Sequence, residues 1–251
     1  MPSERKSARP QTEQPGTSLS GKKSRSNSQE FAFKQLREMI VTGRLAPGTW
    51  MIEADIADRL SISRTPVRGA LHWLQRDGYV IAAGNGNKSR LIVAPLTKDD
   101  ARDLYAIIGH LEGLAGRQTA QLPQKARATV VRRLKEFNAA LAQLSRDRRS
   151  EPNRIFELDL SFHRTIMEAS AGPRLKEIHR IIHSQVERYW RLYSGAIVNK
   201  LSLSVAEHNE IIKAVSSGDP DRAEKGLQTN WQNGVERLST VIDSLGERGN
   251  W

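Results

Sequence analysis

Residues 53–80 read EADIADRLSISRTPVRGALHWLQRDGYV. Ile56, Ala57 and Leu60 fall on one helical face, so Glu53 to Leu60 reads as a short helix. Ser61-Ile62-Ser63 follows as a tight turn. Ser63 can cap the next helix, with Pro66 in its first turn, where a missing N–H costs nothing. That helix runs to about Arg76, turns Val67, Ala70, Leu71 and Leu74 inward, and ends at Asp77-Gly78.

Upstream, Phe31, Phe33, Leu36, Met39 and Ile40 recur at helical spacing, which predicts a helix over 28–42 stopped by Gly43 and Ala46-Pro47-Gly48. Downstream, Tyr79 to Ala82 and Leu91 to Val93 read as short strands around the polar loop Gly84–Arg90. Helix, helix, turn, helix, hairpin is the winged helix-turn-helix pattern, closed by Pro95-Leu96-Thr97. Beyond Thr97, a plausible cap, the period is helical throughout. Helices are expected near 98–121, 124–147, 153–170, 173–195, 201–217 and 220–245, broken at Pro123, Glu151-Pro152, Gly172-Pro173, Gly195 and Ser217–Pro220. The expected architecture is mainly α: a winged helix-turn-helix at 28–96, then an all-helical bundle at 97–246 of six helices, or seven on the alternative count. Residues 1–27 are rich in Ser, Pro, Gln, Lys and Arg, with Leu19 the one large aliphatic after Met1, and read as a disordered basic arm.

The chain has 251 residues, 38% hydrophobic and 27% charged, which excludes collagen-like and low-complexity classes. Cysteine is absent, so disulfides, thiolate metal sites and cysteine nucleophiles are excluded. No run of 18 apolar residues predicts a membrane span, and no secretory signal opens the sequence. The net charge of +11 favours a polyanionic partner. It is densest in the arm (+4 over 27 residues), next over 28–96 (+3), and nearly balanced over 97–251 (+4). The N-terminal third should therefore meet the polyanion.

Arg64 and Arg68 lie one turn apart on the outer face of the second helix quoted above. A guanidinium there suits the O6 and N7 acceptors of guanine in a major groove, and Ser63, Thr65 and the helix N-terminus suit phosphate. SRTPVRGAL followed by DGYV resembles the recognition helix of GntR-family transcriptional regulators, usually S-R-T-P-V-R-E-A-L, with Gly69 in place of Glu. The resemblance spans about 28–96. It implies double-stranded operator DNA as partner, Arg64 and Arg68 as contacting arginines, Thr65 on the backbone, and the wing tip with Gly86 and Lys88 in the minor groove. A further contacting Arg of some members is Ala54 here.

In the helical part, Asp159 and His163 are four apart and can share one divalent ion, though such a pair also makes a simple local hydrogen bond. ELDLSFHRTIMEASAGPRL at 157–175 resembles the D-x-x-F-H helix of the FadR-type ligand-binding (FCD) domain. HNEIIKAVSSGDPDRAE at 208–224 and DLYAIIGHLEGLAGRQTA at 103–120 extend the match over roughly 98–245. It implies one zinc, nickel or manganese ion per chain held by Asp159, His163 and His208. Asn230 stands where the family has a third histidine. An effector pocket for a small carboxylate is implied at Tyr105, Ile108 and Glu112, with Ile108 replacing the usual Arg. His179 and His183, one turn apart, could supply a missing ligand. Tyr189, Trp190 and Tyr193 read as packing, or as pocket lining; His72 and His110 read as structural.

Phosphate-loop, G-x-S-x-G and H-E-x-x-H motifs are all missing, so an enzyme is not the expectation. The resemblance implies a bacterial, cytoplasmic, homodimeric regulator, a repressor on an inverted repeat. Two other readings stay open: a metal-dependent enzyme with a regulatory DNA module, and a DNA-binding regulator whose pocket has lost its ligand.

Overall fold

A computed structural model describes residues 19–84, 90–146, 151–197 and 200–249. The elements run α1 (Leu19–Val41), α2 (Glu53–Leu60), α3 (Arg64–Arg76), β1 (Val80–Ala83), β2 (Arg90–Val93), α4 (Lys98–Ala120), α5 (Gln124–Leu144), α6 (Pro152–Ser170), α7 (Pro173–Ile197), α8 (Leu201–Ser217) and α9 (Pro220–Leu245). The fold is mainly α, with a winged helix-turn-helix followed by a helical bundle.

In the N-terminal unit, α2 ends on Ser61, whose backbone is left-handed (φ 53°), and α3 starts two residues later at N-cap Ser63. This reversal sets α3 across α1. Val67, Ala70, Leu71 and Leu74 of α3 are buried against Leu36 and Ile40 of α1 and against Tyr79, Val80 and Val93 of the hairpin. Strands β1 and β2 are antiparallel, pairing Val80 with Val93 and Ala83 with Arg90. The segment 48–51 pairs with the other edge of β2 through an antiparallel bridge of Trp50 and Ile92, with Met51 N–H to Leu91 O (2.8 Å) and Val93 N–H to Thr49 O (2.9 Å).

Two apolar clusters dominate the bundle, with a smaller one of Leu141, Ile155, Leu158 and Leu201 beside them. Of the two, one gathers Leu134, Phe162, Ile166, Ile211 and Leu227 from α5, α6, α8 and α9; the other gathers Tyr105, Ile108, Tyr189, Tyr193, Trp231 and Leu238 from α4, α7 and α9. Helices α4 and α9 run through both and touch closely because Gly109, Gly113 and Gly116 line the α4 face. A Cβ on Gly116 would lie 2.3 Å from Cδ1 of Leu227, which is fully buried, and 3.3 Å from the Ala223 carbonyl. Gly116→Val is expected to overpack this seam, costing about 1–3 kcal/mol. A thermal melt checks it; an unchanged midpoint would show that the seam can relax.

Two expected boundaries move. Helix α1 starts at Leu19, so residues 19–27 belong to a helix and not to an unstructured arm. Once 28–41 is fixed by packing, each upstream residue adds one hydrogen bond without a new nucleus. Residues 1–18 lie outside the described residues. Helix α7 runs through Gly195 to Ile197; one glycine costs only about 1 kcal/mol in a helix, and the buried Tyr189 and Tyr193 anchor the turns before it.

The two units are joined by more than their linker. On α7, Gln185 Nε2–H donates to the Asp77 carbonyl (2.6 Å) and Arg188 Nη2–H to the Ala94 carbonyl (2.5 Å), while the hydroxyls of Ser184 and Tyr79 meet in a short contact. Leu96 and Arg248 exchange two backbone hydrogen bonds (2.9 and 3.1 Å), tying the linker to the segment after α9.

Candidate functional sites: a recognition helix and a buried carboxylate–histidine cluster

The outer face of α3 carries Ser63, Arg64, Thr65, Arg68 and His72, all exposed. His72 is therefore not a packed histidine; it follows Arg68 by one turn. Ser63 occupies the N-cap position but its side chain makes no capping hydrogen bond, so its hydroxyl is available. Arg68 is gripped side-on by Glu53, the first residue of α2, with Nε–Oε1 2.9 Å and Nη2–Oε2 2.8 Å. The hydrogen bond from Arg68 holds the Glu53 carboxyl below its usual range. Gly86 and Lys88 lie outside the described residues. At the base of the wing the Arg90 guanidinium sits 5.8 Å from the centre of the Trp50 ring.

Within the bundle, α6 and α8 bring Asp159, His163 and His208 together, one ligand atom of each within 4.8 Å of the others. His208 is fully buried, stacked on Phe162 at 3.8 Å, and neither of its ring nitrogens has a hydrogen-bond partner. Its Nε2 lies 3.6 Å from Asp159 Oδ1. Burial pushes its pKa well below the ordinary value, and the nearby His163 charge adds to this, so it is neutral. Burial raises the pKa of Asp159.

His163 is held by Glu112, which is fully buried on α4. Glu112 Oε2 accepts from His163 Nδ1–H (2.5 Å) and Trp231 Nε1–H (2.8 Å), and Oε1 accepts from His179 Nε2–H (2.8 Å). Burial by itself would raise the Glu112 pKa, but the charge and hydrogen bonds of His163 and His179 outweigh it and hold the carboxyl well below its usual range. Burial lowers His163, and Glu112 more than reverses this, leaving it raised to about 9. His183, one turn along α7, is pushed down to about 4 by burial.

This donor set fits a divalent ion. A carboxylate on Nδ1 leaves Nε2 as the ring nitrogen for a ligand role, the usual support for a metal-binding histidine. Two orphaned nitrogens on a buried histidine are costly without a partner. An ion would have to displace a proton from His163, so its uptake releases acid. Asn230 gives its amide Nδ2–H to Glu207 Oε2 (2.8 Å), leaving the carbonyl oxygen as its one possible donor to a metal.

Beside these residues lies a cavity of about 80 Å³, lined by Tyr105, Asp159, His163, Trp190, Asn230, Trp231 and Arg237 among others. By the space one water needs, it holds several waters or one small ligand. Tyr105 lines it. Ile108 and Glu112 do not: Ile108 is fully buried in the α4–α7–α9 core, and Glu112 is used up on its three donors behind the wall. Of the α7 aromatics, Tyr189 and Tyr193 pack in the core and Trp190 reaches the cavity. His179 and His183 stand on the far side of Glu112 and are not among the grouped ligands.

Cationic side chains do stand at the cavity, on elements other than α4. Arg237 is on the cavity wall, its guanidinium paired with Glu207 (2.7 and 3.1 Å) and 3.3 Å from Ser204 Oγ. It follows Asn230 by seven residues, two turns along α9 with Gly234 between, a periodicity visible in the sequence but not singled out there.

Residues 103–233 match the model of the FCD domain, and residues 28–86 that of bacterial regulatory proteins of the gntR family. This chain belongs to the GntR family of regulators, in its FCD-containing branch. It is 23% identical to an uncharacterized HTH-type transcriptional regulator, YdhC, of Bacillus subtilis (strain 168), over 84% of this chain and 91% of that one. It is 27% identical to a probable D-xylose utilization operon transcriptional repressor of Paenarthrobacter nicotinovorans, over 77% and 82%. Among solved structures, E. coli McbR/YncC shares the fold with a TM-score of 0.61 at 19% identity, covering 85% of this chain and 97% of the other. As a GntR/FCD protein, the chain is a DNA-binding transcriptional regulator. No helix among the described residues is long and apolar enough to cross a membrane.

Proposed function

We propose that this protein is a ligand-responsive repressor that binds an inverted-repeat operator as a homodimer in the bacterial cytoplasm. Arg64 and Arg68 read base edges, Ser63 and Thr65 hold phosphate, and the wing with Gly86 and Lys88 enters the minor groove. Asp159, His163 and His208, with the Asn230 carbonyl as a weaker fourth donor, hold one zinc, nickel or manganese ion. When bound, the ion supplies a Lewis-acidic anchor for a small carboxylate, and Arg237 supplies the second charge. The repressor name of the Paenarthrobacter relative supports the direction of regulation.

The observation that carries the ligand-responsive reading is the course of α7. His179 on this helix holds Glu112, which holds the candidate ligand His163. Between one and a half and two and a half turns later, Ser184, Gln185 and Arg188 hold Tyr79, Asp77 and Ala94 of the DNA-binding unit. A ligand that shifts His163 therefore has one rigid element by which to favour one placement of the α3 helices over another, and its differential affinity for the two placements sets the response.

Two measurements test the reading. Selection from randomised duplexes should recover a short inverted repeat. Elemental analysis of protein purified without chelators should find about one ion per chain, lost in Asp159→Ala and His163→Ala, and small carboxylates should then weaken operator binding only in the metal-loaded parent. Failure to select a motif would sink the DNA reading. Metal-free protein whose binding no carboxylate changes would favour the regulator with a ligand-free pocket. Turnover of a small acid by the loaded protein would favour the enzyme.

A further inference from the structure

Among the described residues, Glu53 is the acidic side chain paired with Arg68, and what it does there is specific. The guanidinium has five N–H groups in a planar fork. Glu53 takes the side edge, Nε with one hydrogen of Nη2, in a bidentate pair. The end edge, Nη1 with the other hydrogen of Nη2, stays unused by that pair. That end edge is the one whose two donors match the O6 and N7 acceptors of a guanine. The Arg68 side chain is 64% exposed and Glu53 33%, so the pair does little for the fold. A carboxylate on this face also repels phosphate wherever the protein lands. Its presence costs affinity on every duplex and returns it only where Arg68 has a partner to meet.

We propose that Glu53 is a specificity-determining positioning residue, which clamps Arg68 from α2 so that its end edge is presented to one guanine of each half-site. This rests on the reading of α3 as the recognition helix. Free arginines swing between phosphates and bases. A clamped one is already ordered before binding, so the ordering cost is not charged to the specific complex. The clamp thereby trades general attraction for discrimination. Sequence reasoning on Arg64 and Arg68 passed over Glu53 because 15 residues and a helix reversal separate it from Arg68.

The test uses the full-length protein, the duplex recovered by selection and a scrambled duplex of equal length, with affinities from fluorescence anisotropy at fixed salt. Glu53→Gln is expected to bind the scrambled duplex about two- to five-fold tighter, since one negative charge is gone. It is expected to bind the operator more weakly, so that the ratio of the two affinities falls at least ten-fold, and reselection should relax one base pair per half-site. A ratio that holds while both affinities rise together would overturn the proposal, because Glu53 would then be a plain charge. So would a fall in both affinities that follows a fall in melting temperature, the sign of a merely structural pair. Glu53→Asp, which keeps the charge but is too short for the side-on grip, should lower the ratio without the rise on scrambled DNA; an undiminished ratio in this variant counts against the clamp. Arg64→Ala separates the two readings: if it too leaves the selected motif unchanged, α3 does not read the operator and the proposed function fails with it.

Discussion

A Glu112→Gln protein, stripped of metal, is expected to melt roughly 6–20 °C below the parent. Glu112 is fully buried and accepts from His163, His179 and Trp231 at 2.5–2.8 Å. Removing the charge leaves a buried imidazolium without its counter-ion and at least one donor facing the new amide hydrogens. Breaking one side of a buried pair costs about 3–5 kcal/mol, and a domain of this size shifts by about 2–4 °C per kcal/mol. The parent's pH profile carries the same signature. His163 is raised from 6.5 to about 9 in the folded state, so its contribution is complete below pH 6.5 and is lost as the pH climbs through 9. Glu112 is lowered from 4.5, so its contribution is present above pH 4.5 and is lost as the pH falls. The pair thus stabilises most between pH 4.5 and 6.5. From 6.5 to 9 the metal-free parent should lose about 3 kcal/mol, a loss that Glu112→Gln should not show. Calorimetry at pH 6 and pH 9 on both proteins checks this; parallel profiles would mean that the Glu112–His163 pair is not ionised as described.

The second large effect is at Arg64. Its side chain is exposed on the first turn of α3 and has no ion pair among the described residues, unlike Arg68. A bidentate arginine–guanine pair contributes about 1–3 kcal/mol of discrimination, and the two-fold complex proposed above would lose it twice. Arg64→Ala should therefore weaken operator binding by roughly a hundred-fold while leaving the melting temperature unchanged. Binding to scrambled duplex should fall only a few-fold. Equal losses on both duplexes would place Arg64 on phosphate instead of a base edge.

Much of the fold was legible because the chain is heavily punctuated. Pro66, Gly78, Pro123, Pro152, Pro173, Gly218 and Pro220 sit at element ends, and between them the apolar period is unbroken. Boundaries failed where punctuation was absent or weak: nothing stops α1 upstream of residue 28, and Gly195 is too mild a breaker for a helix anchored by Tyr189 and Tyr193. The site was legible only in part. Asp159 and His163 share a helix, so spacing alone brings them together, and the resemblance added His208. Glu112 was read as an effector contact because its motif position was known but its neighbours were not. His163, His179 and Trp231 come from three other helices, up to 119 residues away. Arg237 was missed because a cation beside the cavity was sought at position 108, on α4, whereas the structure places this arginine on the cavity wall from α9, paired with Glu207.

The pairing of Leu96 with Arg248 also bears on the order in which the protein is made. The DNA-binding unit is complete within the first hundred residues and can fold as soon as they emerge. Its orientation is another matter, since the strap across its linker is drawn from residue 248 and its other anchors from α7. A nascent chain would carry a finished DNA-reading head on a loose joint for most of its synthesis. The head becomes aimed only when nearly all of the helical domain exists to aim it.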